Sequence, residues 1–184
     1  MTIRYATMRS PVGPVAVAWK KSGPDDVIVA IQMQEATTRG SFETKYADVT
    51  PLARLKQCIA QRFGAVTLER DDTGRPAAAL ARYFEGDVRA IDAVKADPGG
   101  TEFQARVWRA LRRIAPGATR TYGEIAEAAG RPGAARAAGG AVGSNPIPIV
   151  IPCHRVVGSN RSLTGFGGGL PRKRWLLEHE GAIE

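Results

Sequence analysis

Cys153-His154-Arg155 places a nucleophile beside a base and a cation, at the end of a stretch that no regular strand can hold. Pro146, Pro148 and Pro152 each remove a backbone donor, which excludes a central strand. Ile147, Ile149, Val150, Ile151, Val156 and Val157 nevertheless demand burial. The segment is therefore read as stiff, buried and irregular. Backbone of that kind must satisfy its polar groups from side chains. Asn145 offers both donors and an acceptor, and is the natural brace. A free thiol titrates at about 8.5, so only a few per cent is thiolate at neutral pH. Nearby cations or a hydrogen-bonded histidine lower that value by roughly one to several units, and His154 and Arg155 are the candidates. The same pair would suit a cysteine hydrolase, which also needs an orienting Asn or Asp and an oxyanion hole that the sequence does not locate.

Composition narrows the choices. The chain has two cysteines, Cys58 and Cys153, and two histidines, His154 and His179. Cys58 stands far from the others, so no structural zinc site and no disulfide framework are expected. No cofactor is expected either. No apolar run approaches the roughly 18 residues that span a bilayer, and the first residues lack a secretory h-region. The expected location is the cytoplasm. Net charge is +8, unevenly placed. Residues 101–184 carry 12 Lys/Arg against 6 Asp/Glu, whereas residues 1–100 carry 14 against 12. A basic half fits a polyanionic partner such as nucleic acid, or a solvated basic surface.

The elements that must position these residues are legible in outline. Residues 1–33 read as strands separated by turns at Pro11–Pro14 and Gly23-Pro24. Residues 34–49 read as a loop. Thr50 caps a helix opened by Pro51, with Leu52, Leu55, Ile59 and Phe63 on one face and Cys58 beside it as core filler. A second helix is expected from Pro76 to Glu85. Pro98-Gly99-Gly100 ends a linker, which divides the chain into domains 1–97 and 98–184. Thr101 with Gln104 and Thr121 with Glu124 form two capping boxes, each opening a helix. The second helix stops at Gly130, and Pro132 starts a third, from Gly133 to about Ser144. A short helix, a glycine turn and another helix make a helix-turn-helix pattern. The third helix is nearly bare: Ala135, Ala137, Gly139 and their neighbours surround one long side chain, Arg136. Either close packing on another helix or close approach to a bulky partner explains such a face.

The second half resembles the O6-alkylguanine-DNA alkyltransferases, the methylated-DNA–protein-cysteine methyltransferases. The resemblance is carried by Phe103-Gln104-Ala105-Arg106-Val107-Trp108, Thr121-Tyr122-Gly123-Glu124-Ile125-Ala126, Ala134-Ala135-Arg136-Ala137 and Asn145-Pro146-Ile147-Pro148. Pro152-Cys153-His154-Arg155-Val156, Gly165-Phe166-Gly167-Gly168-Gly169-Leu170 and Leu176-Leu177-Glu178-His179-Glu180-Gly181 complete it. It implies an α+β chain. A small N-terminal domain, RNase H-like with an antiparallel sheet and helices, precedes a mainly helical C-terminal domain containing the helix-turn-helix. The N-terminal zinc ligands of some members have no counterparts here.

The resemblance also implies roles. Cys153 is the alkyl acceptor, His154 its base through a water, and Glu180 the group that orients His154. Asn145 braces the active-site turn, and Tyr122 donates toward the guanine ring. Arg136 fills the gap left by an extruded nucleotide, on a DNA-facing surface with Tyr122, Ala135, Ala137 and Gly139. Pro148, Val156, Phe166, Gly167 and Gly168 surround the base. The implied partner is double-stranded DNA carrying an alkylated guanine, bound by a monomer without a membrane. The implied reaction is a single irreversible transfer. A non-catalytic lesion binder would lack the acceptor cysteine, and a sequence-reading regulator would need polar side chains on the third helix.

Overall fold

Alternation in the first 33 residues becomes three antiparallel strands in the computed structural model, which describes residues 1–34 and 50–184. They are β1 (Thr2–Met8), β2 (Val15–Ser22) and β3 (Asp25–Met33). The loop expected at 34–49 lies outside the described residues apart from its first position. Thr50 accepts from the Ala53 amide at 3.2 Å and caps α1 (Pro51–Phe63) as expected. Leu55 and Ile59 of α1 bury against Ile3, Ala16, Ala18, Val29 and Ala30 of the sheet, with Cys58 packed at the edge of that cluster. α2 (Arg75–Phe84) begins one residue before the expected helix and ends one before it.

The α+β class agrees with the sequence reading, but the sheet is mixed. Two short strands flank the antiparallel three: β4 (Thr67–Arg70) lies parallel to β1, and β5 (Lys95–Ala96) parallel to β3. The order is β4-β1-β2-β3-β5. β4 reads Thr-Leu-Glu-Arg and β5 has two residues, too little for an apolar period to register. The exit of this unit is tied to the sheet. Arg62 donates to the carbonyls of Val29 and Asp97 and to the Asp97 carboxylate, and Lys20 donates to the same carboxylate at 2.7 Å.

The chain divides into Met1–Pro98 and Gly99–Glu184. In the second unit both capping boxes form, at Thr101/Gln104 for α3 (Glu102–Leu111) and at Thr121/Glu124 for α4 (Tyr122–Ala128). α5 (Ala135–Gly143) turns Ala138, Ala141 and Val142 inward, and α3, α4 and α5 pack on one another. The Trp108 indole N–H donates to the Ala141 carbonyl at 2.8 Å, which fixes α5 against α3. A two-stranded parallel ladder, β6 (Arg120–Thr121) with β7 (Val156–Val157), and α6 (Leu170–His179) complete the unit.

Gly74, the residue before α2, meets the fully buried Trp19 indole. A Cβ there would lie 2.2 Å from Trp19 Cζ2. Its φ of −59° suits any residue, so the need for glycine is steric. Gly74→Ala should therefore lower stability by about 1–3 kcal/mol. A urea midpoint equal to wild type would show that the ring can shift.

Candidate active site

Asn145 sets the path of the irregular segment. Its side-chain amide donates to the Ile151 carbonyl at 2.7 Å, and its carbonyl oxygen accepts from the Ile147 amide at 3.0 Å. The chain therefore loops back within six residues, with Ile149 in a left-handed conformation at φ 74°. The loop delivers a 3-10 turn, Cys153–Arg155, in which all three residues are buried.

Behind that turn lies a charged network. His154 Nε2 is 3.0 Å from Glu180 Oε1. Arg155 donates to both Glu180 oxygens, at 2.7 and 2.8 Å, and to the Ile114 carbonyl. The His154 and Glu180 side chains have no exposed surface. Burial alone would raise the Glu180 pKa, but the hydrogen bonds and charges of His154 and Arg155 outweigh it and hold the carboxyl at about 2. Burial pushes His154 below its ordinary value, against the opposing pull of Glu180. The ring is thus neutral at pH 7, with Nε2 carrying its proton toward Glu180. Nδ1, the acceptor in that tautomer, is buried without a protein partner.

The cysteine differs from the sequence expectation. Burial pushes the Cys153 thiol up, despite opposing contributions from the Asn145 side chain and the charge of Lys173. Arg155 is committed to Glu180 and Ile114 rather than to sulfur. The resting group is a thiol, and its reaction needs a base.

A second buried cation had no sequence signal. Lys173 has no exposed surface, and its ammonium donates to the Val156 and Thr164 carbonyls, each at 2.5 Å. Burial lowers it to about 8, while the negative charge of a Cys153 thiolate would raise it. It thereby links β7 to the glycine-rich wall at 164–168. The Tyr122 hydroxyl faces the same wall, 3.4 Å from the carbonyls of Thr164 and Gly165. Gly165 is required there: its φ is +46° and a Cβ would sit 3.1 Å from the Tyr122 oxygen. Arg172 is also buried and donates to the Gly168 carbonyl at 2.9 Å.

Residues 102–182 match the family described as 6-O-methylguanine DNA methyltransferase, DNA binding domain. The methylated-DNA–protein-cysteine methyltransferase of Salmonella typhimurium is 57% identical over 104 residues, 56% of this chain and 61% of that protein. The match thus spans less than two thirds of the Salmonella protein. The methylated-DNA–protein-cysteine methyltransferase of Mycobacterium bovis is 43% identical over 178 residues, 97% of this chain and 92% of the relative. The chain belongs to the methylated-DNA–protein-cysteine methyltransferase family. The crystal structure of Mycobacterium tuberculosis OGT in complex with DNA superposes with a TM-score of 0.69 at 38% identity, covering 97% of this chain and 93% of that one. The O6-methylguanine-DNA methyltransferase of Pyrococcus kodakaraensis gives 0.67 at 26% identity, covering 97% and 99%.

Against the family pattern, Cys153, His154, Asn145 and Glu180 converge through α6 and the irregular segment, and Tyr122 faces the adjoining wall. Val156 is fully buried, Pro148 and Phe166 are half-buried, Gly168 is buried and Gly167 exposed. On α5, Arg136 and Ala137 are exposed, while Ala135 and Gly139 are half-buried. Among the described residues there is no cluster of metal-ligating side chains and no helix long and apolar enough to cross a membrane.

The network dictates a pH profile. Glu180 has its pKa depressed on folding, so its stabilisation is complete above the unfolded value, about 4.3, and is lost as pH falls toward 2. His154 is also depressed, so the unfolded chain binds more protons below about 6.5 and stability falls there too. Urea midpoints should therefore decline from pH 7 to 3, and Glu180→Gln should flatten the arm below pH 4.5. An acid arm of unchanged depth in that variant would assign the loss to other groups.

Proposed function

We propose that this chain repairs duplex DNA by transferring the alkyl group of O6-alkylguanine irreversibly to Cys153. The observation that carries the reading is a buried thiol in the same 3-10 turn as a buried histidine whose Nε2 is anchored on Glu180 and whose Nδ1 has no protein partner. The partner is double-stranded DNA bound by a monomer in the cytoplasm, and O4-alkylthymine is a poorer substrate.

The chemistry follows from the groups present. The target carbon is saturated, so displacement is in line and favours a soft sulfur nucleophile. His154 takes the thiol proton at Nδ1 through a water. The S–C bond forms as the C–O6 bond breaks, and the electron pair passes to the guanine. The Tyr122 hydroxyl protonates the ring, so guanine leaves neutral and the proton lost by sulfur is matched by the one gained by the base. Burial raises the Tyr122 pKa, which keeps the donor proton in place beforehand. Lys173 lies near enough to the sulfur to favour its anionic form.

A lesion inside a base stack must first be extruded, at a cost of a few kcal/mol. The α5 face suits that task. A Cβ on Gly140 or Gly143 would meet nothing within 4 Å, and on Gly139 only an ordinary contact with Tyr122. Packing inside the protein therefore does not require these glycines, and close approach of a sugar-phosphate backbone in the minor groove does account for them. Arg136 projects from that smooth surface into the space vacated by the nucleotide, and insertion offsets the unstacking.

Mixing the protein with a tenfold excess of O6-methylguanine duplex should yield one methyl per active molecule and then stop. Mass spectrometry should place that methyl on the peptide containing Cys153. Cys153→Ala should bind the lesion without accepting methyl. Sustained turnover, or methyl on Cys58, would overturn the mechanism.

Arg136→Ala should slow repair of duplex lesions about tenfold or more, while reaction with free O6-benzylguanine stays within a factor of about two, because one inserted side chain offsets unstacking of a few kcal/mol. Equal losses on both substrates would give Arg136 another task.

A further inference from the structure

Arg161 occupies a backbone conformation that arginine rarely adopts. Its φ is 63°, in a tight turn closed by Gly158 N–H to Ser162 O and Arg161 N–H to Gly158 O, both at 2.9 Å. Glycine or asparagine would fill that position with little strain, whereas another residue costs on the order of 1–2 kcal/mol. Such a cost in an exposed turn directs attention to what the side chain does.

The side chain reaches toward Thr119 and Glu124. Arg120 opens β6 beside Val156 of β7, and the turn holding Arg161 follows β7 directly. The two guanidiniums thus flank the paired strands that lead to Tyr122 and away from Cys153. Both approach one carboxylate, Glu124, at the outer limit of an ion pair: 3.9 Å from Arg120 and 4.0 Å from Arg161. That carboxylate already accepts from the Thr121 amide at 2.7 Å as part of the capping box. The remaining contacts of the two arginines are long, 3.3 Å to the Thr119 carbonyl and 3.4 Å to its hydroxyl. Both side chains are more than half exposed. Two cations sharing one engaged carboxylate leave an excess charge of +1, which one phosphodiester neutralises.

We propose that Arg161, together with Arg120, holds a backbone phosphate of the DNA at the rim of the Cys153 pocket. The proposal rests on the reading that the chain repairs duplex DNA, and adds a contact that α5 does not supply. Phosphate neutralisation sets position and affinity without reading sequence. The Arg161 fork matches a phosphate bidentately.

Arg161→Asn removes the charge at a residue type that tolerates the left-handed turn, so its melting temperature should not fall below wild type. Affinity for O6-methylguanine duplex should weaken several-fold at low salt. The slope of log K against log salt should become shallower by about 0.9, the loss of one phosphate contact. Arg161→Lys should keep most of the slope. An affinity and slope equal to wild type in Arg161→Asn would overturn the proposal. So would a loss of reaction with free O6-benzylguanine as large as the loss with duplex, since the free base has no phosphate. Failure of the wild-type protein to bind or repair the duplex would instead overturn the underlying reading.

Discussion

Glu180 holds a full negative charge in the interior, and the architecture around Cys153 depends on how that charge is satisfied. A buried carboxylate without partners would protonate or draw in water, because desolvation costs several kcal/mol. Here it receives two hydrogen bonds from Arg155 and one from His154, all within 3.0 Å. The same carboxylate therefore fixes three things: the position of the 3-10 turn, the orientation of the imidazole and its tautomer. Arg155 extends the tie to the Ile114 carbonyl beyond the end of α3. The C-terminus of α6, the 3-10 turn and the end of α3 become one unit through a single anion. Removing Glu180 would leave the Arg155 cation buried without its counterion, and removing Arg155 would leave the Glu180 anion with a neutral histidine alone, so such groups act together rather than additively.

α6 also delivers the opposite charge. Lys173 and Glu180 are seven residues apart, two turns, so they share a helix face. Glu180 reaches the back of the turn, and Lys173 reaches the pocket wall through Val156 and Thr164. The buried charged groups of this unit among the described residues are Arg155, Arg172, Lys173 and Glu180, three cations against one anion. Of these charges it is that of Lys173 that opposes the desolvation holding Cys153 as a thiol. The balance explains a protein whose sulfur is quiet at rest and still able to become anionic once a base takes its proton.

Local rules made much of this legible in the sequence. The two capping boxes, the Thr50 cap and the Asn145 brace are short-range hydrogen-bond patterns, and each appears where the residue types place it. The proline spacing correctly excluded a regular strand at 145–152. Long-range facts were not legible in that way. Glu180 looks like any acid near a helix end, and only family resemblance singled it out. Lys173 sits in Arg172-Lys173-Arg174, which reads as a solvated basic run; burial of the first two is a tertiary outcome. The expected lowering of the Cys153 pKa by Arg155 fails for the same reason, because adjacency in sequence does not say where a guanidinium points. The edge strands β4 and β5 carry no legible period because they are short and half-polar.

Burial also bears on why the proposed transfer would run once. Cys153 is enclosed, and Gly165 lets the neighbouring wall approach the Tyr122 hydroxyl. A thioether formed there is neutral and has no proton to return, so His154 has nothing to act on and Lys173 loses the anion it favours. Hydrolysis would need water at the saturated carbon and a sulfur leaving group, and the second cysteine of the chain packs against the sheet in the other unit. An added carbon would enter buried space beside Asn145, whose two hydrogen bonds define the loop. A methyl group in such a site strains its surroundings by about 1–3 kcal/mol. On the proposed chemistry that strain would fall on the segment joining α5 to the 3-10 turn, so the alkylated protein would be both chemically finished and less stable.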